Sequence, residues 1–156
     1  IRHKGRDNAR TPMQWTDDEN AGFTDGTPWL AMNPNYRQIN VREQEARTDS
    51  VLAYYRRLVH LRKADAYRET FTYGIFEPAY QEMADVFAYY RVSGESGQRI
   101  LVAANFGTDA VSLPLAYPCR QVLLSNLRAE SAVETACEKA NALTLESCEV
   151  AVIELG

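Results

Sequence analysis

The chain has 156 residues, of which 46% are hydrophobic and 24% charged, the composition of an ordinary globular protein. Its net charge of −4 argues against nucleic acid or an anionic membrane as a partner, because either would favour a basic surface. No apolar run in the sequence approaches the roughly 18 residues that a membrane-spanning helix needs.

Residues 1–40 are rich in Asn, Asp, Gly, Pro and Thr and contain both tryptophans. Turn signals stand at Asp25-Gly26 and Asn33-Pro34. An irregular stretch of this length is uncommon in a compact domain and is typical of a functional loop. Because the first residue is Ile, we expect the chain to start at a domain boundary.

One amphipathic helix is predicted over 50–63, where apolar residues recur at helical spacing after a capping Asp49 or Ser50. A short helical turn is expected before it, over 41–46. The helix would bear an apolar stripe along one face, which favours self-association if nothing covers it. The stripe consists of Val51, Tyr54, Tyr55, Leu58 and Leu61.

From about residue 69 the apolar period changes to two, which predicts strands. Ser93–Gly97 is a turn signal between two of these strands and predicts a β-hairpin. Short strands separated by turns favour an antiparallel sandwich. The segment 128–141 has a weak apolar period and is expected to be a loop with at most one helical turn. The predicted strands cover 71–76, 86–92, 100–106, 110–113, 121–125, 143–145 and 149–155.

Three cysteines, Cys119, Cys137 and Cys148, form no C-x-x-C pair. We therefore expect neither a disulfide framework nor a zinc site, but reduced structural thiols in a cytoplasmic protein. The histidines His3 and His60 show no ligand spacing, so no metal site is predicted. No sequence feature indicates a cofactor.

Several dense motifs in the first 41 residues resemble one family of enzymes. They are similar to the C-terminal portion of the oligo-1,6-glucosidase and α-glucosidase branch of the α-amylase family of glycoside hydrolases. Helix 50–63 matches the last helix of that family's catalytic barrel, and two strand segments match its C-terminal β-domain. The motifs are Arg6–Trp15, Asn20–Phe23, Pro28-Trp29, Asn33–Tyr36 and Ile39–Val41, and the strand segments are Phe87–Tyr89 and Leu101–Phe106.

The resemblance implies a mostly β chain, with loops and the last helix of a truncated (β/α)8 barrel preceding an antiparallel Greek-key β-sandwich. Residues 1–65 would end the catalytic barrel, and residues 66–156 would form the C-terminal β-sandwich domain. The parent would be a retaining α-glucosidase that hydrolyses α-glucosidic bonds of short oligosaccharides. Its three catalytic carboxylates would lie upstream, so this chain would hold no catalytic residue and would be inactive alone.

Two arginines are the expected substrate-binding residues. The resemblance places Arg6 in the floor of the pocket for the terminal glucose, where a planar guanidinium can bind a carboxylate and a sugar hydroxyl together. The alternative for Arg6 is an ion pair that only fastens the loop. Arg10 would reach the site entrance and the second sugar, or hydrogen-bond to loop carbonyls. Trp15, Phe23 and Trp29 are expected to pack on the barrel, with sugar stacking as the alternative.

Other functions remain open on the sequence alone. The chain could belong to a trehalose synthase, sucrose isomerase, dextran glucosidase or trehalose-6-phosphate hydrolase. It could also be a non-catalytic carbohydrate-binding or scaffold β-domain, which would show exposed aromatic side chains in a row on one sheet face. The tyrosines that could form such a surface are otherwise explained as core and rim of a sandwich; they are Tyr73, Tyr80, Tyr89 and Tyr90.

Overall fold

The structure, a computed structural model, describes residues 9–128 and 141–156. Packing divides the chain into two compact units, Ile1–Arg56 and Arg57–Gly156. Strands contribute 29% of the described residues and helices 26%, and every strand pair among them is antiparallel.

The first unit is irregular chain interrupted by short helical turns. Two 3-10 turns, Glu19–Gly22 and Pro34–Arg37, precede the short helix α1, Val41–Glu45. Asn40 caps α1, since its side-chain oxygen accepts a hydrogen bond from the backbone N–H of Glu43 at 2.9 Å. The predicted helical turn over 41–46 is confirmed.

Helix α2, Val51–Lys63, confirms the helix predicted over 50–63. Ser50 caps the N-terminus of α2, because its hydroxyl oxygen accepts a hydrogen bond from the backbone N–H of Ala53 at 3.1 Å. The predicted apolar stripe leaves large side chains in solvent: Val51 is 79% exposed and Tyr55 is 62% exposed.

The strand predicted over 71–76 is wrong. Helix α3, Asp65–Tyr73, occupies most of it, and strand β1 begins only at Ile75. The alternation of Phe71, Tyr73 and Ile75 imitated a strand, but Tyr73 is 80% exposed. The four-residue spacing of Tyr67 and Phe71 is typical of a helix, and their ring centroids lie 6.5 Å apart in α3.

The second unit contains seven described strands in two antiparallel sheets. The larger sheet has the order β1-β2-β3-β7-β5, and the smaller one pairs β4 with β6. The predicted hairpin is confirmed as β2 and β3, in which Val86 pairs with Asn105 and Val92 with Arg99. All predicted strands after 71–76 are found within two residues of their expected ends. The strands are β1 Ile75–Ala79, β2 Val86–Val92, β3 Arg99–Asn105, β4 Val111–Pro114, β5 Cys119–Ser125, β6 Ala142–Leu145 and β7 Val150–Leu155.

Both sheets contribute to one hydrophobic core. Leu101 and Ile153 from the large sheet lie in the same buried cluster as Leu113 and Leu145 from the small sheet, and all four are fully buried. Burial of these apolar side chains holds the two sheets together.

A buried ion pair fixes the turn that leads into β7. Glu149 is fully buried, and its carboxylate accepts a hydrogen bond from Arg128 Nε at 2.5 Å. The Ser125 hydroxyl and the backbone N–H of Glu146 donate to the same carboxylate at 2.8 and 2.9 Å. Burial raises the pKa of Glu149, but these donors lower it by more, so the pKa lies below its usual value.

The cysteine prediction fails at one position. Cys119 is disulfide-bonded, whereas Cys148 is an exposed free thiol. Spacing alone could not show this bond, because no paired-cysteine motif marks it.

The loop predicted over 128–141 lies almost wholly outside the described residues. Of the helices in residues 9–128 and 141–156, none is both long and apolar enough to cross a membrane.

Candidate functional site

The motif-rich segment of the first unit turns through a left-handed bend. Asn20, Ala21 and Gly22 have φ values of 50°, 55° and 64°. Ala21 is fully buried, and its carbonyl accepts hydrogen bonds from the backbone N–H groups of Trp15 and Thr16 at 2.9 and 3.0 Å. Glycine is required at the third position, since a Cβ there would lie 2.6 Å from the Thr16 hydroxyl oxygen. The bend is therefore fixed by backbone contacts.

The side chain of Asn20 holds the loop that follows this bend. Its amide nitrogen donates to the carbonyl of Thr24 at 3.3 Å and to that of Gly26 at 3.0 Å. The Gly26 N–H in turn donates to the Thr24 hydroxyl at 3.1 Å. This local network positions the chain immediately before Pro28 and Trp29.

Gln14 ties the first motif to the later ones. Its side-chain amide donates to Asn35 Oδ1 at 3.1 Å and to the carbonyl of Ile39. Its own carbonyl accepts a hydrogen bond from the N–H of Val41 at 2.9 Å. Residues that lie 21 to 27 positions apart in the sequence are thus joined, and the motifs form one folded segment.

Two acidic residues of this segment bind one arginine. Arg42 contacts Asp17 and Asp18, each at 2.7 Å. The hydrogen bond from Arg42 lowers the pKa of Asp18, so this carboxylate stays ionised. These acids therefore act as ion-pair anchors of the loop. The contact joins residues 24 and 25 positions apart, and sequence reasoning missed it.

Of the two predicted substrate-binding residues, the structure describes one. Arg6 lies outside the described residues. Arg10 is exposed, and its guanidinium carbon lies 5.5 Å from the ring centroid of Trp29, a cation–π geometry. Trp29 itself is 82% exposed. The structure thus brings Arg10 beside an aromatic ring that the sequence had assigned to packing.

A second aromatic surface lies on the large sheet of the second unit. The rings of Phe76 and Tyr89 are 4.9 Å apart, and those of Tyr89 and Phe87 are 5.8 Å apart. Phe76 is 51% exposed and Phe87 is 57% exposed. This Phe76–Tyr89–Phe87 row crosses β1 and β2 on one face. By contrast, Tyr80 and Tyr90 pack against the core, as predicted for the tyrosines of a sandwich.

A cleft of about 310 Å³ lies in the second unit, beside the start of β2 and the loop after β3. Its most buried polar side chain, Asn105, donates to the carbonyls of Asp109 and Glu146 at 2.9 and 3.0 Å. Asn105 also accepts a hydrogen bond from the N–H of Gly107 at 2.9 Å. The polar atoms of Asn105 are thus taken up by hydrogen bonds within the protein, so they do not point to a ligand or a reaction in this cleft.

Among the described residues, no three His, Cys, Asp or Glu side chains are grouped so that they could hold a metal.

Comparison with known proteins identifies the family of the chain. The model of the α-amylase catalytic domain matches residues 1–74. The oligo-1,6-glucosidase of Parageobacillus thermoglucosidasius is 41% identical over 138 residues, which cover 86% of this chain and 24% of that protein. The chain belongs to the α-amylase family. The glucan 1,6-alpha-glucosidase of Streptococcus pneumoniae is 42% identical to this α-amylase-family chain over 134 residues, again 86% of the chain and 24% of the relative.

Solved structures of α-amylase-family proteins share the fold. The isomaltulose synthase PalI from Klebsiella sp. LX3 matches with a TM-score of 0.84 and 34% identity, over 97% of this chain and 26% of that one. A MutB variant in complex with the substrate sucrose matches with a TM-score of 0.83 and 33% identity, over the same shares of the two chains. This α-amylase-family chain thus spans about a quarter of the length of the proteins it matches.

Proposed function

We propose that the chain is the C-terminal portion of a retaining α-glucosidase of the oligo-1,6-glucosidase type, which hydrolyses α-glucosidic bonds of short oligosaccharides. The observation that carries the proposal is the identity of about two residues in five to an oligo-1,6-glucosidase over most of the chain. The motifs of that resemblance include Gln14 and Asn20, whose hydrogen bonds hold the folded segment together.

In this proposal the chain supplies binding groups and the rest of the protein supplies the reacting carboxylates. Retaining hydrolysis uses two carboxyl groups about 5 Å apart that flank the scissile bond. The adjacent acids Asp17 and Asp18 both bind Arg42, which leaves them ill suited to that task. Arg6 would hold the terminal glucose and Arg10 the entrance of the pocket, while the isolated chain would be inactive.

The same proposal extends to the finer architecture. Residues 1–65 would end the catalytic (β/α)8 barrel with α2 as its last helix, and 66–156 would form a Greek-key β-sandwich. The core shared by the five-stranded and two-stranded sheets supports a sandwich. The exposed Val51 and Tyr55 on α2 would be covered by the barrel, so the chain expressed alone would self-associate.

A cytoplasmic location is the remaining part of the proposal. It requires the Cys119 disulfide to be reduced in the cell, because disulfides seldom persist in the cytoplasm. Alkylation of thiols at the moment of cell lysis tests it. A labelled Cys119 supports the cytoplasm, and an unlabelled Cys119 alongside a labelled Cys148 contradicts it.

The experiment that tests the activity uses the full-length protein that contains this chain. The purified protein is incubated separately with isomaltose, maltose, sucrose, trehalose and trehalose-6-phosphate, and the products are identified by chromatography. Release of glucose from isomaltose is the expected result. Failure to cleave any α-glucoside would overturn the proposal.

An isomerising relative is the second candidate within the family. It is favoured by the structural match to an isomaltulose synthase and to a MutB structure that holds sucrose. Conversion of sucrose into an isomeric disaccharide, with little free glucose, would select this candidate in the same experiment. Turnover of trehalose or of trehalose-6-phosphate would select the other sister activities.

A non-catalytic carbohydrate-binding or scaffold domain is the candidate from a different class. The Phe76–Tyr89–Phe87 row favours it, because exposed aromatic rings in a row on one sheet face are what such a domain would present. Titration of the isolated chain with isomaltotriose tests it by calorimetry. We expect no measurable binding, and saturable binding that Phe87→Ala removes would support this candidate instead.

A further inference from the structure

Arg99 begins β3 on the inner face of the large sheet. Leu101 and Ala103 follow it at every second position and lie in the core, so the Arg99 side chain leaves the same face of the strand. In the sheet, Arg99 pairs with Val92 of β2 and with Leu155 of β7. The guanidinium therefore lies at one end of the core that the two sheets share.

Two tyrosines surround this guanidinium. The Cζ of Arg99 lies 3.9 Å from the ring centroid of Tyr117, a cation–π contact. The Tyr90 ring, which packs against the core, meets the Tyr117 ring edge to face at a centroid distance of 6.4 Å. A ring on the face of a guanidinium takes none of its five N–H donors, because these lie in the guanidinium plane. The donors of Arg99 are therefore left for another group.

No described residue accepts a hydrogen bond from Arg99 or forms an ion pair with it, and its Nε is buried. By contrast, the more exposed Arg42, Arg47 and Arg56 each contact a carboxylate, at 2.7, 2.9 and 2.6 Å. A charged donor that is buried without an acceptor destabilises the fold. An acceptor of opposite charge at Arg99 would remove this cost.

Two acidic side chains on nearby strands do not supply that acceptor. Glu154 precedes Leu155 and so leaves the opposite face of the sheet, where Gln98 donates a hydrogen bond to it at 3.0 Å. Glu77 is exposed and lies on β1, two strands away from Arg99. The acceptor must therefore come from outside the described residues.

We propose that Arg99 and Tyr117 form a binding site for a small oxyanion, the phosphate or carboxylate group of a soluble metabolite. Arginine binds such groups through paired N–H donors while its face stacks on an aromatic ring. The inner face of the sheet favours a small ligand over a docking protein, because the neighbours of Arg99 there belong to strands and a loop of its own unit. The site lies wholly in the second unit and does not depend on the proposed function.

The test titrates the full-length protein with inorganic phosphate and, separately, with acetate, by calorimetry at constant ionic strength. We expect saturable binding with a Kd of about 1 mM for the preferred anion, since a single guanidinium supplies the charge. The anion that binds more tightly identifies the ligand as a phosphate or a carboxylate.

Arg99→Gln should weaken this binding by about tenfold or more, because the amide is uncharged. Arg99→Lys covers the case in which Arg99→Gln does not fold. It keeps the charge but lacks the paired donors, and it should weaken binding by about threefold or more.

Arg37→Gln is the matched control. Arg37 also lies over a tyrosine, with its Cζ 5.2 Å from the Tyr36 ring centroid, but it is exposed and belongs to the first unit. Its substitution should change the Kd by less than about twofold.

Two results would overturn the inference. If neither anion binds the wild-type protein, the site is empty or is already filled by a carboxylate from the rest of the protein. If binding persists unchanged in the Arg99 variants, the anion lies elsewhere. Neither result bears on the hydrolysis of α-glucosides, which is measured separately.

Discussion

The ion pair between Glu149 and Arg128 gives the sharpest stability prediction. Glu149 is fully buried, while Arg128 keeps 21% of its side chain exposed. Glu149→Gln keeps the volume and one acceptor oxygen but removes the charge that faces the guanidinium. The Arg128 charge then lies mostly out of solvent without its counter-ion, and an unpaired buried charge destabilises the fold.

The magnitude follows from the contacts that are lost. Breaking a fully buried ion pair costs about 3–5 kcal/mol of the free energy of unfolding. Arg128 can regain part of its hydration through its exposed fraction, and the introduced amide oxygen can still accept a hydrogen bond from Ser125 or from Arg128. We therefore expect Glu149→Gln to lower the free energy of unfolding by about 2–3 kcal/mol.

The assay is urea denaturation at pH 7 followed by circular dichroism, with Glu45→Gln as the matched control. Glu45 contacts Arg56 at 2.6 Å, nearly the same distance, but both side chains are more than half exposed. This control substitution should lower the free energy of unfolding by less than about 1 kcal/mol. If the two substitutions lower the free energy of unfolding equally, then burial does not determine how much an ion pair stabilises this protein, and the reasoning is refuted.

Three further predictions concern stability, two of them at the turn before β7 and one at Tyr80 after β1. The pKa of Glu149 is lowered in the folded state, so its charge stabilises the fold above the ordinary pKa of 4.5, and this stabilisation is lost as the pH falls below that value. The difference in the free energy of unfolding between wild type and Glu149→Gln should therefore shrink in acid. A constant difference from pH 7 to pH 3 would contradict this prediction. Cys148→Gly should raise the free energy of unfolding by about 0.5–1 kcal/mol, since Cys148 is exposed at a φ of 57°. Tyr80→Gly, at a φ of 54°, should instead lower it, because the Tyr80 hydroxyl donates to the Pro114 carbonyl at 2.7 Å and its ring packs on the core.

Much of the fold could be predicted from the sequence, because local patterns dominate there. β2 has the predicted bounds, since Val86–Val92 is a run of β-branched and aromatic residues next to a clear turn signal. α2 is likewise set by its periodicity and its Ser50 cap. The strand prediction over 71–76 was wrong, because the end of α3 and the start of β1 together give an alternating apolar pattern.

The candidate site could be predicted only in part. The motif around Arg10 pointed to a binding loop, but its neighbours come from distant positions. Trp29 lies 19 residues from Arg10, and Arg42 lies 25 residues from Asp17. No periodicity relates residues on irregular chain at such separations. The exposure of Trp29 likewise depends on tertiary structure, and packing of that ring on the rest of the protein stays a prediction.

The central claim is that this chain supplies a sugar-binding guanidinium to an α-glucosidase, and Arg6→Ala in the full-length protein tests it most directly. Loss of a charge-assisted contact, with its carboxylate partner left unpaired, should lower kcat/KM for isomaltose by about 100-fold or more. Arg47→Ala is the control: Arg47 is a 59% exposed arginine paired with Asp49, and its loss should change kcat/KM by less than about twofold. An Arg6→Ala enzyme with wild-type kinetics on isomaltose would contradict the claim.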